Sequence, residues 1–167
     1  MSDSSPKKNV KISELNSITV RFAGDSGDGI QLVGNQFATA TAKAGNDLST
    51  LPDYPAEIRS PAGSISGVSG FQISFGDDSV LTPGNRPDVL VVMNQPSLDA
   101  FEKDVVDGGL IVVDTSIVEG RPDAERLDAL MIPATNMADE VGTPKVANVV
   151  IMGALAAKTG AFSLEMV

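Results

Sequence analysis

Apolar and polar positions follow two periods along the first half of the chain, one typical of strands and one typical of helices. Residues 17–23 alternate and are rich in β-branched types, which predicts a first strand. Apolar residues recur at helical spacing over 28–44, and Gly45 with Asn46 is a helix-end signal. Residues 67–75 alternate again and predict a strand with a glycine near its centre. A short strand is also expected at 47–50, and residues 51–67, with three prolines, are predicted to be an ordered loop.

The second half contains continuous apolar runs, which are typical of buried parallel strands. Such runs cover residues 88–93 and 110–113, with a shorter one at 129–132. Helices are predicted at 97–107, 135–140 and 147–158. Strands that alternate with helices predict an α/β fold with a doubly wound, mostly parallel sheet and helices on both faces. The stretch 67–81 is expected to add an antiparallel hairpin or edge.

Domain organisation is predicted to be simple. Residues 1–15 are polar and are expected to form a flexible leader, and residues 16–167 are long enough for one domain with its own core. The net charge of −10, from 12 basic and 22 acidic residues, disfavours binding to nucleic acid or to an anionic membrane surface. The sequence has neither a secretory signal pattern nor an apolar run long enough to cross a membrane, so we expect a cytoplasmic protein.

The sequence has no cysteine and no histidine. This excludes disulfides, iron–sulfur ligation by cysteine and ordinary zinc sites within it. It also removes the side chains that most often serve as nucleophile or general base. The composition therefore favours a binding domain over a self-contained catalyst, and we assign no catalytic residue and no metal ligand.

A glycine-rich turn links the first predicted strand to the first predicted helix. Gly24, Gly27 and Gly29 give the spacing G-x-x-G-x-G, which differs from both the dinucleotide pattern and the Walker A loop. The free N–H groups of a helix start attract anions, and glycines let a ligand approach the backbone. However, Asp28 would repel a phosphate and is instead a candidate helix N-cap, with Ser26 as the alternative. A tight turn without a ligand and a ligand-binding loop therefore both remain open from the spacing alone.

The loop at 51–67 contains a pair of opposite charges. Glu57 and Arg59 are two residues apart and point to the same side of an extended segment. They either pair with each other, which is the ordinary interpretation, or present Arg59 to an anionic group of a ligand or partner. Lys43 is the only other basic residue between Phe22 and Asn85, so backbone amides would have to supply much of any anion binding.

Three other polar residues follow predicted strands or precede a helix. Asn94 follows a central strand and is expected to cap the next helix rather than to bind a ligand. Asp114 follows the next strand, where a strand-terminating turn is the favoured interpretation. Lys145 precedes the last helix and is a weak candidate for contact with an anion.

Four segments together resemble one known family: G-D-S-G-D-G-I, P-D-Y-P-A-E-I-R-S-P-A-G, G-V-S-G-F-Q-I-S-F-G and V-V-M-N-Q-P. They are similar to the N-terminal gamma domain of the alpha subunit of 2-oxoglutarate:ferredoxin oxidoreductases, over roughly residues 18–160. In that family the alpha subunit continues into a pyrimidine-binding domain, so we expect this chain to be truncated at its C-terminus.

The resemblance implies a role in a complex that oxidatively decarboxylates a 2-oxoacid, or runs the reverse reaction. Coenzyme A accepts the acyl group, and ferredoxin accepts the electrons. Thiamine diphosphate, Mg and [4Fe-4S] clusters would be held by the thiamine diphosphate-binding domain and the beta subunit, which are the expected partners. The residues expected to line the coenzyme A pocket, or to face the neighbouring domain, are Gly24, Ser26, Gly27, Asp28, Gly29, Gln31, Tyr54, Glu57 and Arg59. The alternatives are an assembly domain without a ligand and a stand-alone nucleotide-binding module.

Overall fold

The computed structural model describes residues 17–25, 29–53, 68–76 and 86–159. Within these ranges six strands form one sheet: β1 (Ser17–Asp25), β2 (Asp47–Asp53), β3 (Val68–Gly76), β4 (Val89–Val92), β5 (Leu110–Asp114) and β6 (Asp128–Ile132). The same ranges contain four α-helices: α1 (Ile30–Lys43), α2 (Gln95–Phe101), α3 (Ala134–Glu140) and α4 (Ala147–Thr159). No described helix is long and apolar enough to span a membrane.

The sheet has the strand order β2-β3-β1-β4-β5-β6. Strands β1, β4, β5 and β6 are parallel, whereas β3 is antiparallel to both of its neighbours. The predicted doubly wound, mostly parallel sheet is therefore confirmed. The stretch 67–81, which was expected to add an antiparallel hairpin or edge, supplies the antiparallel strand β3, and this strand lies inside the sheet, between β1 and β2.

Helices cover both faces of the sheet, as predicted. On one face α1 and α4 pack on the apolar side chains of β1, β3 and β4, and the ring of Phe37 contacts those of Phe22 and Phe75 with centroids 5.5 and 5.7 Å apart. On the other face α2 covers a smaller cluster around Leu90, Val92 and Leu98. The two apolar layers fix the helix N-termini relative to the strand ends.

Two predicted elements had wrong boundaries. Strand β2 continues through residues 51–53, which were expected to be loop, because it pairs with β3 as far as Asp53. Pro52 is tolerated there since β2 is an edge strand. The second helix begins at Gln95 rather than at residue 97 and ends at Phe101, followed by a 3₁₀ turn over Glu102–Asp104.

Side chains explain both ends of α2. Asn94 caps its start and Pro96 occupies its first turn. Arg126 donates to the carbonyl of Glu102 at 2.7 Å, and Arg86 donates to that of Val105 at 3.0 Å, so the guanidinium groups satisfy carbonyls left by the shortened helix. The predicted leader at 1–15 and the part of the expected hairpin beyond residue 76 lie outside the described residues.

Asp88 precedes β4 and makes stability depend on pH. Its Oδ2 accepts the Thr19 N–H at 2.9 Å. Burial raises the pKa of this carboxyl above its usual value, and the Thr19 hydrogen bond opposes the rise only in part. Because the folded-state pKa exceeds the unfolded one, the stability linked to the bound proton is complete below about pH 4 and is lost as pH rises through the folded-state pKa.

We therefore expect Asp88→Asn, which keeps an oxygen acceptor for Thr19 but carries no charge, to gain stability relative to the wild type as pH rises from about 4 to about 7. Chemical denaturation of both proteins across that range measures the difference. A difference that stays constant, or that changes in favour of the wild type at higher pH, would contradict a burial penalty on the Asp88 carboxylate.

Candidate functional site

The candidate site lies at the carboxyl edge of the sheet, which is formed by the C-terminal ends of the parallel strands β1 and β4. Ala23 of β1 is level with Val92 of β4. The chain leaves β1 towards α1 on one face and leaves β4 towards α2 on the other. Open α/β sheets bind ligands at such a point, where the winding direction reverses, because the helices diverge and leave a crevice.

Both loops singled out in the sequence meet this edge. In the register of the sheet, Asp25 at the end of β1 pairs with Val68 at the start of β3, and Asp53 at the end of β2 pairs with Gly70. The segments 26–28 and 54–67 are therefore joined to neighbouring strands at one end of the sheet. Six predicted site residues fall in these two segments and lie outside the described residues: Ser26, Gly27, Asp28, Tyr54, Glu57 and Arg59.

Within the described part of the chain, helix α1 begins at this edge without a side-chain cap. Gly29 occupies the N-cap position in the left-handed region, with φ 71° and ψ 27°, and no side chain bonds to the first turn from that position. The expectation that Asp28 or Ser26 holds the cap position was therefore wrong. Gly24, also a predicted site residue, is buried near the end of β1, level with Ser69 of β3. The first turn of α1 has no acidic residue, so its N–H groups present a positive end.

Gln31 fastens the start of α1 to the strand that follows the second loop. Its Nε2 donates to the carbonyl of Gly70 at 2.7 Å. The bond links the residues that follow the segment 26–28 to those that follow the segment 54–67, and it gives Gln31 a structural role. Its contact with coenzyme A stays a prediction.

Asn148, in the first turn of α4, is the residue that sequence reasoning missed. It is 4% exposed, and its Nδ2 lies 2.6 Å from the position that a Cβ on Gly29 would occupy. The start of α4 is thereby placed beside the start of α1. No local pattern marks Asn148, because its position depends on how α4 packs on α1.

The polar residues after β4 and β5 have structural roles. The Oδ1 of Asn94 accepts the Ser97 N–H at 2.9 Å, which confirms the predicted cap. The neighbouring Gln95 accepts the Gly120 N–H at 2.7 Å and so ties down the segment after β5. Asp114 is fully buried, terminates β5 and binds the start of α3. Lys145 is exposed in the 3₁₀ turn before α4, so contact with an anion stays a prediction.

A cavity of 360 Å³ lies away from this edge, near the amino ends of β5 and β6. It is lined by Arg86, Glu102, Lys103, Asp107, Asp123 and Arg126. Its two arginines are engaged with backbone carbonyls. The cavity is therefore part of the capping of α2, and the carboxyl edge of the sheet remains the candidate site.

Comparison with known proteins identifies the family. Residues 19–167, more than half of the chain, match the family described as pyruvate ferredoxin/flavodoxin oxidoreductase. The 2-oxoglutarate oxidoreductase subunit KorA of Mycobacterium tuberculosis is 54% identical over 101 residues, which are 60% of this chain and 16% of that protein. The ketoisovalerate oxidoreductase subunit VorA of Methanothermobacter thermautotrophicus is 35% identical over 86% of this chain and 29% of that protein. This chain thus spans less than a third of either relative.

A shorter relative is matched over most of its length. The 2-oxoglutarate synthase subunit KorC of Methanocaldococcus jannaschii is 32% identical over 87% of this chain and 77% of that protein.

Two solved structures share the fold. The 2-oxoglutarate:ferredoxin oxidoreductase from Magnetococcus marinus, with 2-oxoglutarate, coenzyme A and succinyl-CoA bound, superposes with a TM-score of 0.75 and 28% identity over 86% of this chain and 24% of that one. The keto/oxoacid ferredoxin oxidoreductase gamma subunit from Geobacter sulfurreducens gives a TM-score of 0.76 and 27% identity over 91% of this chain and 81% of that one. These findings confirm the resemblance seen in the sequence, and the chain belongs to the pyruvate ferredoxin/flavodoxin oxidoreductase family.

Proposed function

We propose that this chain forms the coenzyme A-binding domain of a 2-oxoacid:ferredoxin oxidoreductase complex. The complex oxidatively decarboxylates 2-oxoglutarate to succinyl-CoA, or runs the reverse reaction, and exchanges electrons with ferredoxin. Two relatives named as 2-oxoglutarate enzyme subunits support this substrate, and so does a similar structure that holds coenzyme A and succinyl-CoA.

The proposed division of labour follows from what the sequence lacks. Without histidine or cysteine, the chain has few groups for covalent or acid–base catalysis. Thiamine diphosphate, Mg and the [4Fe-4S] clusters are therefore proposed to belong to the thiamine diphosphate-binding domain and the beta subunit of a cytoplasmic complex. Residues 16–167 contribute the coenzyme A site and subunit contacts, and residues 1–15 form a leader.

One observation of this chain carries the proposal. The start of α1, with Gly29 at its N-cap position, lies at the sheet edge to which both loops are joined, where the chain leaves the parallel strands β1 and β4 towards opposite faces. Coenzyme A carries phosphate groups, and helix N-termini with glycine-rich approaches bind phosphate through backbone N–H groups. An anionic ligand fits this edge even though the net charge of the chain is −10.

The test is calorimetric titration of coenzyme A into the assembled complex. Arg59→Ala and Gly27→Val are each expected to weaken binding about tenfold or more, since one loses a charged hydrogen-bond donor and the other adds bulk at the phosphate approach. Thiamine diphosphate occupancy is measured in the same samples and is expected to stay normal.

Lys43→Ala is the matched control. Lys43 is exposed in the last turn of α1, far along the helix from the candidate site, so its loss removes the same charge as Arg59→Ala but should leave the affinity unchanged. If coenzyme A binds the Arg59 and Gly27 variants as tightly as the wild type, the two loops are scaffold or subunit interface. The assembly-domain alternative would then replace the proposal.

A further inference from the structure

We infer that two copies of this chain pair through strand β6 across a two-fold axis, so that the sheet continues from one copy into the other. Strand β6 is the last in the strand order, and one of its sides has no neighbouring strand in the described part of the chain. The inference goes beyond the proposed function, because two strands, β4 and β5, separate this surface from β1 and the coenzyme A site.

Two residues of β6 present their backbone groups to its open side. The Asp128 N–H donates to the Gly109 carbonyl at 2.9 Å, and the Ile132 carbonyl accepts the N–H of the residue after β5 at 2.8 Å. Both ends of β6 therefore direct their backbone groups towards β5. Because successive residues of a strand direct these groups to alternate sides, the N–H and C=O groups of Ala129 and Met131 point away from the sheet.

A second copy of β6 fits these groups in one antiparallel register. If the two-fold axis passes between the two copies of Leu130, Ala129 of each strand lies opposite Met131 of the other. Opposed residues that both point towards the partner strand exchange a hydrogen bond in each direction. Every outward backbone group of both strands is then satisfied, and a small side chain lies opposite a large one on the same face of the sheet.

The sequence of β6 lacks the features that protect edge strands against such pairing. It contains no proline, and the charge of its single ionisable residue, Asp128, is matched by Lys158 at 3.3 Å. The edge strand at the other end of the sheet, β2, has Pro52 within it and an aspartate at each end. With a net charge of −10, two copies repel each other less through β6, where the charges are paired, than through an acidic surface.

Exposed apolar side chains are concentrated beside this strand. Of the six large apolar residues that are exposed in the described part of the chain, Met131 lies on β6, and Met137 and Val141 lie in and directly after helix α3. Met137 and Val141 are four residues apart and therefore share one side of the helix. Apolar groups collected near an open strand edge indicate a protein partner.

Leu130→Cys tests the pairing, because the register places the two copies of position 130 opposite each other on the axis. The Cα atoms of such a non-hydrogen-bonded pair are about 4.5 Å apart, which a disulfide can bridge. The chain has no native cysteine, so the new thiol is unique in it. In the assembled complex, mild oxidation is expected to link most of this subunit into a band of twice its mass on a non-reducing gel.

Thr50→Cys is the matched control, since Thr50 is exposed in the middle of the other edge strand, β2. It should give no band of doubled mass. Adding Met131→Lys to Leu130→Cys places a charge in each pair that exchanges hydrogen bonds. This addition is expected to reduce the linked fraction at least about tenfold.

The inference is wrong if Leu130→Cys gives no band of doubled mass, or if Thr50→Cys gives as much of it. A band at the mass of this subunit plus a different one would also overturn it, because another chain would then occupy the open side of β6. Should Leu130→Cys not assemble, co-expressed Ala129→Cys and Met131→Cys subunits test the same register, since the Cα atoms of that pair would be about 5.5 Å apart. Linkage that fails to appear there would equally contradict the pairing.

Discussion

Asp114→Ala is expected to lower the free energy of unfolding by about 3 kcal/mol. The carboxylate is fully buried at the end of β5 and accepts three donors: the Ser116 N–H at 3.0 Å, the Thr135 N–H at 3.2 Å and the Thr135 hydroxyl at 2.6 Å. Hydrogen bonds to a charged group contribute about 1.5–3 kcal/mol each, but Ser116 and Thr135 are half-buried, so water can replace part of the loss. Thermal or urea unfolding of the variant measures the effect.

Two further variants separate the carboxylate from nonspecific effects. Thr135→Val keeps the branched shape, removes only the hydroxyl and is expected to cost about 1 kcal/mol. Asp139→Ala removes a carboxylate from the exposed side of α3 and should change stability by less than about 0.5 kcal/mol. If Asp114→Ala costs no more than Asp139→Ala, the three bonds to Asp114 do not hold α3 to the sheet.

The central elements could be predicted from the sequence because the spacing of apolar residues within each element indicates which of its residues are buried. The continuous apolar runs predicted β4 and β5, the helical spacing predicted α1, and the alanine-rich composition predicted α4, each close to its observed ends. Asn94 was also correctly predicted as a cap, since an asparagine directly before a helix has a local and well-understood role.

Long-range pairing could not be predicted in the same way. Nothing in residues 68–76 tells that β3 inserts between β1 and β2, because strand order is decided by partners far apart in sequence. The continuation of β2 past Pro52 has the same origin, since only the pairing with β3 reveals an edge strand. Local propensity therefore placed this segment in a loop.

The candidate site also has features that could be predicted from local sequence and one contact that could not. The glycines and the two loops were recognisable from composition, and the structure joins both loops to one edge of the sheet. The meeting of Asn148 with Gly29 was not recognisable, because it connects residues that are distant in the chain and depends on the packing of α4 against α1. Packing contacts of this kind become visible only in three dimensions.

Gly34→Ala is expected to lower the free energy of unfolding by about 3 kcal/mol, although alanine stabilises most helix interiors by about 1 kcal/mol relative to glycine. Gly34 is buried in α1, and a Cβ there would overlap Cγ and Cδ1 of the Phe71 ring. Both contacts are far closer than van der Waals contact, so either the Phe71 ring or α1 must move. A shift of α1 would also strain the bond from Gln31 to Gly70.

A double-mutant cycle with Phe71→Ala tests this cause. Phe71→Ala alone should cost about 3–5 kcal/mol, since the ring is buried in the core. It also removes the two ring atoms nearest Gly34 and leaves only the Phe71 Cβ, at 2.9 Å from the added methyl. In that background the short contact with the Phe71 Cβ remains, so Gly34→Ala should still cost about 1 kcal/mol, which gives a coupling of about 2 kcal/mol measured by chemical denaturation. Additive effects would mean that the close approach of α1 to β3 does not require glycine at position 34.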